Sequence, residues 1–192
     1  MEGYITLFHL GLYFVVAGSV LTTERLWNAF FNVSIAVGVC MMLYGFCQLS
    51  GSKSCVGQGG SVRIDGRLGN AAYLAVYMLF HSFMAVFLVV RAKTPSARVV
   101  YALLALGFAY ILFETATRGT LAALAGGAVL SAIYIAIFER QNPWIRKIAM
   151  GMVVLVIVLT GSFYSAKDSA FVKNHSTLAR LSSVFSFQEL TT

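Results

Sequence analysis

The sequence predicts an all-α, multi-span membrane helix bundle. Three observations predict it. Charged residues make up only 11% of the 192 residues, while 59% are hydrophobic; a soluble domain carries about 25% charged residues. The apolar residues fall into six long runs. All fourteen Lys/Arg and all seven Asp/Glu lie outside the cores of those runs. A chain of this composition cannot cover a globule with polar surface.

The spans are expected near residues 4–21, 27–49, 71–90, 99–115, 119–138 and 148–164. A bilayer core of about 30 Å takes roughly 17–25 helical residues, and most of the runs have that length. The fourth has a short uncharged core, Val99–Phe113, and is extended through Glu114 and Thr115 to reach span length. Residues 165–192 are polar, basic and rich in Ser and Thr, and read as the start of a loop. The N-terminus has no basic n-region and its first apolar run is followed by others, so a signal peptide is not expected.

The connections fall into two sets. Residues 22–26, 91–98 and 139–147 hold seven Lys/Arg in 22 residues; residues 50–70, 114–118 and 165–192 hold seven in 54. The denser, shorter set is assigned to the cytoplasm, because cations close to span ends in short loops set orientation. Arg63, Arg67, Arg118 and Arg180 then share the outer face, and so does the N-terminus. A net charge of +7 is accounted for by headgroup contacts at span ends, and nucleic acid is not an expected partner.

The stretch Glu114–Gly127, ETATRGTLAALAGG, places a glutamate and an arginine four residues apart where one run ends and the next begins. Charge beside hydrocarbon is costly and marks candidate function. If the helix continued, Glu114 and Arg118 would pair. If it turns, Thr115 or Thr117 caps the next helix, whose first amides then lack partners. A helix start beside an arginine suits an anion, phosphate above all. Gly119, Ala123, Gly127 and Ser131 form a small-residue stripe suited to close helix contact. A second segment, Arg63 to Asn70, sets two arginines four apart among two glycines just before a span. Headgroup contact explains its arginines but not its glycines.

Other signals are weak. Cys40, Cys47 and Cys55 form no C-x-x-C pattern and no cluster with histidine. They read as structural cysteines, buried on one helix face for Cys40 and Cys47, and no metal site is expected. Asn32-Val33-Ser34 lies inside a span and Asn174-His175-Ser176 is a chance-level pattern, so neither is taken as a glycosylation site. No P-loop, Ser/His/Asp order or H-E-x-x-H is present.

Three segments carry a family resemblance. Arg63-Ile64-Asp65-Gly66-Arg67-Leu68-Gly69-Asn70-Ala71-Ala72-Tyr73-Leu74-Ala75 resembles a conserved segment of the O-antigen ligase and polymerase superfamily. Thr115-Ala116-Thr117-Arg118-Gly119-Thr120-Leu121 resembles its T-x-S-R-G segment, with Thr117 in place of serine. Arg180-Leu181-Ser182-Ser183-Val184-Phe185 resembles the opening of its large periplasmic loop. The segments come in family order and cover residues 63–192.

The resemblance implies a fold like that of the metal-independent lipid-linked glycosyltransferases, in a bacterial cytoplasmic membrane, with its site on the periplasmic face. The implied partners are an undecaprenyl-diphosphate-linked glycan, a glycan acceptor such as lipid A-core, and membrane lipids; no cofactor is implied. Arg63, Arg118, Arg67 and Arg180 would bind the diphosphate, supported by Glu114, Asn70 and Gly119. Ligase, polymerase and protein O-oligosaccharyltransferase share these segments. The family's histidine belongs to a downstream H-N motif that His175 does not match, so no catalytic residue is assigned. The family has more spans, and the chain is expected to be part of a longer protein. A transporter gated by a Glu114/Arg118 pair and a non-catalytic envelope scaffold are the competing readings.

Overall fold

The computed structural model describes residues 2–52, 55, 63–138, 143–166 and 169. Six α-helices follow one another: α1 Glu2–Val20, α2 Glu24–Leu49, α3 Ala71–Arg91, α4 Pro95–Glu114, α5 Arg118–Phe138 and α6 Pro143–Ala166. There is no strand among the described residues. The first five helices are long and apolar enough to cross a membrane, and fit a multi-pass membrane protein. In α6, which contains the expected span 148–164, the apolar stretch is shorter, Val153–Ser162. Residues 167–168 and 170–192, which include Arg180 and His175, lie outside the described residues.

Local chemistry sets the helix starts earlier than apolar content alone predicts. Thr23 caps α2, accepting from the Leu26 amide, so the helix begins at Glu24 rather than at residue 27. Thr94 caps α4 by accepting from Ala97 N, and Pro95 sits in its first turn. Asn70 caps α3 through its side-chain oxygen, which accepts from Ala72 N at 2.8 Å. Polar first turns therefore extend α2 and α4 beyond their apolar runs, whereas α3 starts where its run does.

The core lies between α2, α3 and α4. Along α3, Leu74, Ala75, Met78, Ala85 and Leu88 are buried, and they meet Phe108, Ile111 and Leu112 of α4 and Ile35 and Met42 of α2. Helices in lipid gain little from hiding apolar surface from each other, so close packing and polar contacts hold them. His81, in the middle of α3, supplies one such contact. Its Nδ1 lies 2.8 Å from the Tyr77 carbonyl oxygen, and its Nε2 lies 3.1 Å from the Ser34 carbonyl oxygen and 3.2 Å from Ser34 Oγ on α2. Gly38 makes room for the ring: a Cβ there would stand 2.5 Å from His81 Cδ2.

The small-residue stripe of α5 is used at one point. Gly127 faces Phe83 of α3, where an added Cβ would come within 2.6 Å of the ring, whereas Gly119 has open space around it. None of the span-forming window of α1 is buried within the chain.

The cysteines differ in part from the expectation of buried structural residues. Cys47 and Cys55 form a disulfide, with Cα atoms 5.8 Å apart, and Cys40 is an exposed free thiol. Cys47 lies in the last turn of α2, and the bond ties Cys55 to that turn.

Candidate functional site

The C-terminus of α2, the loop 63–70, the start of α3 and the α4–α5 turn meet at one end of the bundle. Helix α4 stops at Glu114 with Thr115 as its C-cap. Ala116 follows at φ 51°, in the left-handed region, and its amide donates to the Phe113 carbonyl at 3.0 Å. A left-handed residue just past a helix end terminates it by tying the last amides back onto the final turn. Thr117 then opens α5 through its carbonyl, which accepts from Leu121 N at 3.2 Å and from Thr120 Oγ1 at 2.9 Å.

Arg63 holds this turn. Its Nε and Nη2 both donate to the Thr115 carbonyl, at 2.8 and 2.6 Å, and Nη2 also donates to Thr117 Oγ1 at 2.7 Å. The carbonyls at a helix end have no intrahelical partner, and the guanidinium fork supplies one here. Arg63 is half-buried. The resemblance makes Arg63 a diphosphate ligand; within the chain, these two nitrogens hold the turn that carries Arg118. The Thr117 hydroxyl oxygen also accepts from Thr115 Oγ1 at 3.1 Å.

A second network holds the loop that carries Arg63. Gln48, in the last turn of α2, accepts from the amides of Asp65 and Gly66 at 3.2 and 3.0 Å, and its Nε2 donates to Asp65 Oδ1 at 2.9 Å. Asp65 is 1% exposed. The Leu68 amide closes the turn onto the Asp65 carbonyl at 2.9 Å. The glycines left unexplained by headgroup contact have their reason here. Gly66 and Gly69 take φ values of 57° and 74°, which residues with a Cβ rarely adopt. Gly66 also lies against Leu74, whose Cδ1 would be 2.7 Å from an added Cβ.

The remaining predicted residues divide. Arg118 is exposed at the first position of α5, and Gly119 beside it is exposed with open space around it. Arg67 is exposed, left-handed at φ 67°, and its guanidinium carbon lies 5.6 Å from the centre of the Tyr44 ring. Asn70 is spent on the α3 cap. Glu114 and Arg118 form no ion pair among the described residues, because the helix breaks between them. The pairing expected for a continuous helix, on which a Glu114/Arg118 gate depends, is therefore not formed.

Sequence reasoning passed over Gln48, Asp65 and Tyr44. A glutamine in the final turn of an apolar run and an acid between two arginines were the available signals. No three His, Cys, Asp or Glu side chains among the described residues converge in a way that could hold a metal ion. Chemically, the arrangement offers an exposed guanidinium beside the first amides of α5, on a turn made rigid from below.

No protein-family model, no curated protein and no solved structure matches this chain.

Proposed function

We propose that this end of the bundle holds the diphosphate of a polyprenyl-linked glycan outside the cytoplasmic membrane, for transfer of the glycan to an acceptor in the manner of an O-antigen ligase. The observation that carries the reading is the Arg63 clamp. It joins segments 52 residues apart, from Arg63 to the Thr115 carbonyl. These are the two described segments that resemble the ligase and polymerase superfamily. A resemblance scattered along a chain is weak; hydrogen bonds between its segments support reading them together as one site.

The Cys47–Cys55 disulfide supports the orientation. It lies at the same end, and disulfides persist in oxidising compartments. This agrees with the sparser cation content of the connections on that side.

In the proposed reaction the acceptor hydroxyl attacks the anomeric carbon, forming the new glycosidic bond as the anomeric carbon–phosphate oxygen bond breaks, and the hydroxyl proton passes to water or to the departing diphosphate. Negative charge grows on the departing polyprenyl diphosphate. Arg118, the first amides of α5 and Arg67 are fixed donors for that charge, and preorganised donors stabilise a transition state without reorganising. Arg63 acts one step back, by holding the turn, and Arg180 is a further candidate cation. Polymerase and protein O-oligosaccharyltransferase activity use the same donor chemistry and differ in acceptor.

The test is glycan transfer in membranes supplied with a polyprenyl-diphosphate-linked donor and candidate acceptors. Arg118→Ala is expected to lower transfer at least about a hundredfold, the scale of losing a donor to a transition-state oxyanion, with membrane insertion unchanged. Transfer at the wild-type rate would remove the reading.

A further inference from the structure

At the opposite end of the bundle lies a cavity of about 290 Å³ between α2, α3 and the connection to α4. Six of its lining residues are polar: Glu24, Asn28, Asn32, Arg91, Lys93 and Tyr101. The site described above uses none of them. Glu24, Asn28 and Asn32 follow one another at four-residue intervals and line this one cavity. At 1.5 Å per residue, that row runs about 12 Å inward from the helix start.

A polar row inside a membrane span is costly unless its groups find partners. Part of it is satisfied within the protein. Tyr101 Oη donates to Asn32 Oδ1 at 2.6 Å, and Asn32 Nδ2 donates to the Asn28 carbonyl at 2.7 Å. The mouth is cationic and held in place. Arg91 ends α3, lies 3.3 Å from Glu24 Oε1, and stands over the Phe87 ring with its guanidinium carbon 5.5 Å from the centre. Lys93 follows, exposed. Two cations against one carboxylate leave the mouth one positive charge in excess. The residues next to the polar row, Ala29 and Val33, are exposed and apolar.

We propose that this cavity is a binding site for an anionic glycerophospholipid of the leaflet at this end. Its phosphate sits on Arg91 and Lys93, its glycerol-region oxygens face the Asn28–Asn32–Tyr101 row, and an acyl chain lies along Ala29 and Val33. The depth of the polar row distinguishes a lipid from a free ion. A free phosphate would use the cationic mouth alone, whereas a phospholipid carries hydroxyl and ester oxygens inward and hydrocarbon beside them. The excess positive charge selects a headgroup with net negative charge over a zwitterionic one.

The test is native mass spectrometry of the full chain, delipidated in detergent and titrated separately with phosphatidylglycerol, phosphatidylcholine and inorganic phosphate. Phosphatidylglycerol is expected to be retained in preference to phosphatidylcholine, and inorganic phosphate not to be retained. Lys93→Gln should weaken phosphatidylglycerol binding about fivefold, the factor given by about one interfacial cation's attraction, and Lys93→Arg should restore it. Arg25→Gln, which removes a cation at the same end but outside the cavity, should leave binding unchanged. Equal retention of the two lipids, retention of inorganic phosphate alone, or an equal loss from Arg25→Gln and Lys93→Gln would each overturn the proposal.

Discussion

Arg63 reaches across the bundle end to Thr115, 52 residues further along the chain, and places two of its nitrogens on that one carbonyl oxygen, at 2.8 and 2.6 Å. This contact turns the loop after α2 and the α4–α5 turn into a single unit. Hydrogen bonds made by a charged group contribute about 1.5–3 kcal/mol. Arg63→Ala is expected to destabilise the bundle by an amount in that range, and Arg63→Lys to recover only part of it, since an ammonium has no planar fork. Thr117→Val, which removes one acceptor, should cost about 1 kcal/mol. Reversible unfolding in mixed micelles measures all three; an Arg63→Ala variant as stable as wild type would show that the clamp contributes nothing.

Backbone conformation gives an independent check on the same end. Gly66→Ala meets both a left-handed φ of 57° and the Leu74 side chain. It should destabilise by about 1–3 kcal/mol, the scale of strain and overpacking together. Ala116 is left-handed at φ 51°, and Ala116→Gly relieves about 1 kcal/mol of local strain, partly offset by the freedom glycine gains in the unfolded chain. The two substitutions are thus expected to move stability differently, the first down sharply and the second little.

Thiol counting tests the covalent link. With Cys47 and Cys55 joined and Cys40 exposed and free, a maleimide-polymer reagent should shift the unreduced chain by one label and the reduced chain by three. Three labels without reductant would contradict the disulfide. In cells, the single-label form is expected only if this end faces an oxidising compartment, so the same gel reports on orientation.

The centre of the bundle is held where α2 and α3 nearly touch. An alanine at position 38 would put its Cβ 2.5 Å from His81 Cδ2. Gly38→Ala should therefore cost about 1–3 kcal/mol through overpacking, while Gly119→Ala, with open space around it, should be nearly neutral for stability. Equal losses at both positions would mean that the α2–α3 approach is not close.

Much of the architecture was legible in the sequence because hydrocarbon length and helix caps are local properties. Uncharged runs located the helices, and Thr23, Asn70 and Thr94 account for where three of them begin. The candidate site was legible only in part. Arg63 and Arg118 could be singled out as charges beside hydrocarbon, but that Arg63 holds the α4–α5 turn depends on a partner 52 residues away. The Glu114–Arg118 spacing suited a pair only on a continuous helix, and the left-handed Ala116 between them carries no mark in its residue type. Gln48 reads as the polar end of an apolar run; its role depends on the loop amides of Asp65 and Gly66 folding onto it. Cys55 likewise carries no mark in the sequence of its pairing with Cys47 rather than Cys40.

The central claim is that Arg118, presented by the Arg63-clamped turn, binds a lipid diphosphate. Its most direct measurement is the affinity of the nanodisc-reconstituted chain for a polyprenyl diphosphate, read against the corresponding polyprenyl alcohol. The diphosphate is expected to bind and the alcohol not to. Arg118→Ala should weaken diphosphate binding by roughly tenfold or more, as expected for loss of a charge-assisted contact, with helical content unchanged. Equal affinity of wild type and Arg118→Ala, or equal affinity for diphosphate and alcohol, would contradict it.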